Sequence, residues 1–120
     1  MKISEALTKL DAYVSETVET DEKLSWLDRI EGIIYEELVL THADGFPKPP
    51  PCADGDRELI CAEPYSDLYV FYMAMQRDMQ MRDSVSYANN AQAFDAAYYA
   101  FADNYNRRHM PNKMASKISL

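Results

Sequence analysis

The side chains best equipped for chemistry are few. Glu31, Glu36 and Glu37 lie close enough in sequence to act as a paired acid and base, and Cys52, Cys61, His42 and His109 supply thiols and imidazoles. Neighbouring carboxylates can move a proton, and a thiol with a histidine base can attack an electrophile. The surroundings complete neither arrangement. The three glutamates belong to the polar side of a helical segment, and no Glu-x-x-His is present to build a di-iron site. There is no Gly-x-Ser-x-Gly elbow and no Walker loop, and 3 glycines leave no glycine-rich turn to cradle a phosphate. Cys52 or Cys61 beside His42 lacks a third group to orient the base. The cysteine spacing matches neither a zinc knuckle nor a CxxC pair, so two free thiols are expected. The two histidines stand far apart, neither at ligand spacing from a carboxylate. The sequence therefore predicts no catalytic residue, no metal site and no cofactor, and points to a protein that works by binding others.

The residues that could make such contacts are aromatic, sulfur-bearing or basic. Tyr69, Tyr72, Tyr98, Tyr99 and Tyr105 could form a platform for bases, but at helical spacing such a stripe is more commonly core or subunit interface. Tyr69 and Tyr99 fall off the main stripe and are read as subunit contacts. Met73, in a run with Met75, Met79 and Met81, is read as adaptable packing and a candidate contact. Phe46 is a loop aromatic, either a contact point or tucked onto the chain's own core. Arg107 and Arg108 complement the negative end of a helix dipole and offer charge to an acidic partner. Lys113 and Lys117 continue that basic character to the C-terminus.

Four helical segments must position these groups. The first, about Ser4 to Ser15, has Ser4 as N-cap and Leu7, Leu10 and Val14 on one face. The second starts at Thr20 or Asp21, carries Leu24, Leu27, Ile30, Ile34 and Leu38 as its apolar face, and ends around Val39 to His42. Residues 43–63 cannot be helical, because Pro47, Pro49, Pro50 and Pro51 remove donors and restrict the residues before them. Within that loop Leu59-Ile60-Cys61 is expected to form a short strand or an extended anchor. The third helix is expected to open at Pro64 and to bury Tyr65, Leu68, Tyr72, Met75 and Met79. The fourth, capped by Ser84 or Ser86, repeats Tyr87, Ala91, Phe94, Tyr98, Phe101 and Tyr105, with Asn89-Asn90 on its polar face. Pro111 stops it. The expected fold is an all-α, four-helix bundle-like single domain over residues 1–110, with a long Pro-rich loop between helices 2 and 3 and a flexible basic tail over 111–120.

Length and charge set outer bounds. A chain of 120 residues suits one core. No stretch reaches the ~20 apolar residues of a membrane span, and the acidic start lacks the apolar region of a signal peptide, so the host cytoplasm is the expected compartment. The net charge of −8 argues against generic nucleic-acid binding. Residues 1–63 carry 15 acids against 6 bases, and residues 64–120 carry 5 against 6. An acidic body with a basic end fits docking on charged proteins.

The order of segments resembles a known family. It is carried by Lys23-Leu24-Ser25-Trp26-Leu27-Asp28-Arg29-Ile30-Glu31-Gly32, the acidic stretch Ile34 to Glu37, then Glu63-Pro64-Tyr65-Ser66-Asp67-Leu68-Tyr69 and Tyr105-Asn106-Arg107-Arg108-His109-Met110-Pro111. Together these resemble the small head–tail connector (adaptor, or head-completion) proteins of long-tailed phages and prophages. The resemblance implies a virion structural subunit that assembles about a dozen copies into a ring beneath the portal protein. Such a ring docks a stopper or tail-completion protein and lets DNA pass without sequence-specific binding. The loop and tail would be its reaching elements. A different reading of the acidity of residues 1–63 is a prophage-encoded module that inhibits a host protein.

Overall fold

The computed structural model describes residues 1–110; the expected tail over 111–120, with Lys113 and Lys117, lies outside the described residues. Four α-helices build the described residues: α1 (Ile3–Tyr13), α2 (Thr20–Ile34), α3 (Asp67–Met81) and α4 (Ser84–Arg108). Among the described residues there is no strand, only an isolated antiparallel bridge between Lys2 and Glu58. No helix among them is long and apolar enough to cross a membrane. The all-α architecture with a long excursion between the second and third helices is as the periodicity predicts.

Helix α1 begins earlier than Ser4, and the reason is tertiary. The first orphan amides of the helix find acceptors in the loop: Ile3 N–H donates to the Arg57 carbonyl at 3.1 Å, and Ser4 N–H donates to Asp56 Oδ1 at 2.8 Å. Ser4 Oγ donates to the other Asp56 oxygen at 2.7 Å, so a distant aspartate performs the capping that a local serine was expected to perform. Helix α2 is tied to α1 by the buried Lys23, whose ammonium donates to both Asp11 oxygens at 2.9 and 3.1 Å.

Beyond Ile34 the helix widens into one π turn, Tyr35–Val39, where Leu40 N–H reaches back to the Tyr35 carbonyl at 3.0 Å. The extra residue keeps Tyr35, Leu38 and Val39 all buried. The chain then reverses through Gly45. A Cβ there would stand 2.8 Å from the Val39 carbonyl oxygen, so only glycine fits the close approach.

Helix α3 is the centre of the molecule and packs against α1, α2 and α4. It starts at Asp67 rather than Pro64, which instead lies in a turn where Tyr65 N–H donates to the Ala62 carbonyl at 3.0 Å. Enclosure from three sides broadens its buried surface well beyond one stripe. Leu68, Tyr69, Val70, Tyr72, Met73, Ala74 and Asp78 are all buried, while Met79 is 59% exposed. Tyr69 is therefore a core residue, not the surface contact its place off the expected stripe implies, and Met73 is the packing residue of its two expected roles rather than an exposed contact. Helix α4 lies one-sided on α3, with Phe101 and Tyr105 buried and Phe94 and Tyr98 packed at the margin, as its repeat predicts. Asp83 is its cap, accepting from Ser86 N–H at 3.0 Å, in place of the expected serines.

Leu59 and Cys61 anchor the loop, but the chain bends at Ile60 and Cys61 rather than forming a strand: both Leu59 and Cys61 are buried, and Leu59 N–H donates to the Met1 carbonyl at 2.9 Å.

Candidate functional site

Beneath the loop lies a buried polar network that begins with Glu31. Its side chain is out of water although it was placed on the polar side of its helix. The helical repeat explains the correction: Glu31 stands four residues after Leu27 and three before Ile34, inside the arc they bury. Its carboxylate is fully employed. Arg57 Nη1 donates to it at 2.7 Å, the Ile60 amide at 3.2 Å, and the Tyr69 hydroxyl at 2.6 Å. Tyr69 in turn accepts from the Cys61 amide at 2.7 Å. Burial, followed by the adjacent Glu31 charge, raises the Tyr69 phenol well above its ordinary value, so it remains a proton donor. A buried carboxylate with three donors ties α2, α3 and the loop together, a structural role.

Glu31 and Arg57 of this network also line a cleft of about 480 Å³ between α2 and the segment 48–51. Asp28, Glu31, Gly32 and Tyr35 line one wall; Lys48, Pro49, Pro50 and Pro51 form a strap opposite, with Arg57 closing one end. Two bonds hold the strap over the helix. Asp28 Oδ1 accepts from the Cys52 amide at 2.7 Å, and the Tyr35 hydroxyl donates to the Phe46 carbonyl at 2.6 Å. Arg57 Nε also donates to the Pro50 carbonyl at 3.1 Å. Pro51, with φ −55° and ψ 150°, has polyproline II geometry, and the proline rings present a rigid apolar wall. Gly32 opens onto this space: a Cβ there would meet nothing within 4 Å.

A second cluster joins the two histidines. Tyr105 and His109 stack with ring centroids 3.9 Å apart, and His42 meets Tyr105 edge-on at 5.0 Å. His109 Nδ1 pairs with Asp44 at 2.5 Å, and the Ala43 amide donates to the Met110 carbonyl at 2.9 Å. The His109 hydrogen bond holds the Asp44 carboxyl below its ordinary range. This cluster fastens the end of α4 to the turn after α2. Among the described residues, no group of three or more His, Cys, Asp or Glu is placed to hold a metal ion. A third network sits inside the α3–α4 hairpin, where the fully buried Asp78 accepts from Arg77 at 2.7 Å, Ser86 at 3.0 Å and Asn90 at 2.7 Å. Asn90 is thus buried rather than on the polar face of α4.

The expected contact residues divide. Tyr99 is 76% exposed on the outer face of α4, and Phe46 is 40% exposed with its ring 6.0 Å from that of Tyr35. Arg107 is exposed and paired with Asp103 one turn back, and Arg108 borders a smaller hollow of about 250 Å³ beside Tyr65 and His109. Tyr69 and Met73 are inside. The thiols of Cys52 and Cys61 are both buried and free. No protein-family model, curated protein or solved structure matches the chain.

Proposed function

We propose that this chain is a structural subunit of a phage head–tail connector, assembling with copies of itself into a ring that docks on the portal and extends the DNA channel. Two things support the reading: the resemblance of the segments around Trp26, Tyr65 and Arg107 to that family, and the outer face of α4. That face carries the argument. Val85, Ala88, Asn89, Gln92, Ala96, Tyr99 and Ala100 are exposed along roughly its first four to five turns, with Asp95 the one charge in that stretch, and the Asp103–Arg107 pair follows toward the C-terminal end. Charge-poor surface with small residues and a projecting tyrosine is the composition of a subunit contact, and α4 is covered by the rest of the chain on one side only. The acidic first half would suit a channel wall that repels DNA and lets it slide.

The excess of acids over bases in residues 1–63 favours a second reading, an acidic prophage module that binds and inhibits a host protein. Native mass spectrometry over a wide concentration range, with negative-stain imaging of large species, separates the two. Rings of about a dozen copies, free or nucleated by a portal protein, support the connector. A chain that stays monomeric with and without portal, yet captures one host protein stoichiometrically, supports the inhibitor.

A further inference from the structure

Gly32 presents a physical problem inside the chain. It lies in the interior of α2, where glycine is less favourable than alanine by roughly 0.5–1 kcal/mol. No neighbouring backbone or side chain requires its small size, since an added Cβ meets nothing within 4 Å. Gly45 shows the contrast, with a carbonyl oxygen at 2.8 Å from its would-be Cβ. What Gly32 does is deepen the cleft under the proline strap. The missing side chain makes sense if something enters that space.

The lining defines the entrant. Three proline rings and the Tyr35 ring favour a flat aromatic group, since aromatic rings and polyproline II segments are complementary surfaces. Lys48 at the rim is exposed and has no ion-pair partner among the described residues, so the entrant should carry a carboxylate beside its ring. This chain displays that combination on the outer face of α4. Tyr99 is, at 76%, the most exposed large hydrophobic side chain among the described residues. Asp95, one helical turn before it on the same face of α4, is also exposed and unpaired among the described residues. Ala96 and Ala100 flank the tyrosine and allow a close approach.

We propose that the cleft between α2 and the strap 48–51 is the socket for Tyr99 of a neighbouring copy of this chain, with that copy's Asp95 meeting Lys48. Knob and socket lie on different surfaces, so the contact is heterologous and propagates into a ring or a filament. The inference rests on the proposal that the chain self-assembles, and it assigns the contact that does so.

The test is site-specific photocrosslinking in the full chain carrying Tyr99→p-azidophenylalanine, read beside native mass spectrometry of the unlabelled protein. The expected product is a covalent dimer whose crosslink falls on residues 28–57 of the second copy. Gly32→Leu, which fills the socket, and Tyr99→Ala, which removes an exposed knob without touching the core, should each raise the concentration for half-assembly by about tenfold or more. Lys48→Glu should weaken assembly, and adding Asp95→Lys to it should restore it. Circular dichroism establishes that Gly32→Leu is folded; Tyr99→Ala and the charge swap do not depend on that variant. Self-association that survives these substitutions, or crosslinks that land elsewhere, overturns the socket and leaves the assembly reading standing. A chain that remains monomeric and uncrosslinked even with a portal protein overturns both. A crosslink confined to one chain, or to a foreign protein, also overturns the socket.

Discussion

The Tyr69 hydroxyl donates to a Glu31 carboxylate oxygen 2.6 Å away and accepts from the Cys61 amide at 2.7 Å, with both side chains almost wholly out of water. One phenol thereby fixes α3, α2 and the returning end of the long loop in a single register. Removing the hydroxyl in Tyr69→Phe strands a buried amide and removes one donor from a buried carboxylate. The expected cost is about 1–3 kcal/mol. Glu31→Ala goes further, because it removes the acceptor of the Ile60 amide and of the tyrosine hydroxyl and breaks the ion pair with Arg57 at once, and should cost about 3–5 kcal/mol. Urea unfolding midpoints at unchanged slope measure both. The double variant should lose less than the sum, since the two residues share one interaction.

The thiols provide an independent probe of the same region. Burial, then a hydrogen bond with Asp28, pushes the Cys52 thiol up to about 12, and burial with the nearby Glu31 charge pushes Cys61 up to about 12. At pH 8 the thiolate fraction of each is then on the order of one in 10⁴, and the thiolate is the reactive form. Brief exposure of the native chain to iodoacetamide should leave both cysteines unmodified by mass spectrometry, and full modification should appear in denaturant. Rapid native labelling of Cys52 would mean that the strap opens readily, and of Cys61 that the returning end of the loop leaves the core.

How much of this could be read beforehand follows from how each element is covered. Helices α1, α2 and α4 bury one face, and their apolar repeats could be read directly. Helix α3 is enclosed on three sides, so the stripe Tyr65, Leu68, Tyr72, Met75 and Met79 marked only part of its buried surface. Tyr69, off that stripe, accordingly reads from the sequence as an exterior residue although it is buried. Glu31 and Asn90 show a different gap. Both occupy core-facing positions of the repeat, but their polarity argued for the surface, and only their partners from α3 or the loop make burial tolerable. Those partners are long-range, as are the Asp56 cap on α1 and the His42–Tyr105–His109 cluster. Local spacing carries no signal for contacts that the topology creates.

Gly32 yields a prediction opposite in sign to most substitutions. Because a Cβ at this position meets nothing and the backbone is helical, Gly32→Ala should stabilise the free chain by about 0.5–1 kcal/mol, mainly by restricting the unfolded state. Thermal or urea unfolding reads the change directly. A destabilised Gly32→Ala variant would show that the wall of the cleft is tighter than its geometry indicates.

Acid should loosen the molecule at two loop anchors, and the sign follows from the direction of their shifts. The hydrogen bond from His109 holds Asp44 below its ordinary value of 3.8, and the bonds from the Ser4 amide and hydroxyl hold Asp56 below the same value. A carboxyl depressed in the folded state binds its proton more readily when unfolded. Its contribution is therefore fully present above the unfolded value, near pH 4, and is lost as pH falls through the lower folded value. Stability should hold through neutral pH and decline below about pH 4. Asp56→Asn and Asp44→Asn should each be less stable at pH 7 and show a shallower decline in acid than the parent chain. Melting temperatures from pH 7 down to pH 2.5 provide the measurement. Parallel curves for parent and variants would show that neither carboxylate contributes through its ionised form, and that the start of α1 and the end of α4 are held by packing alone.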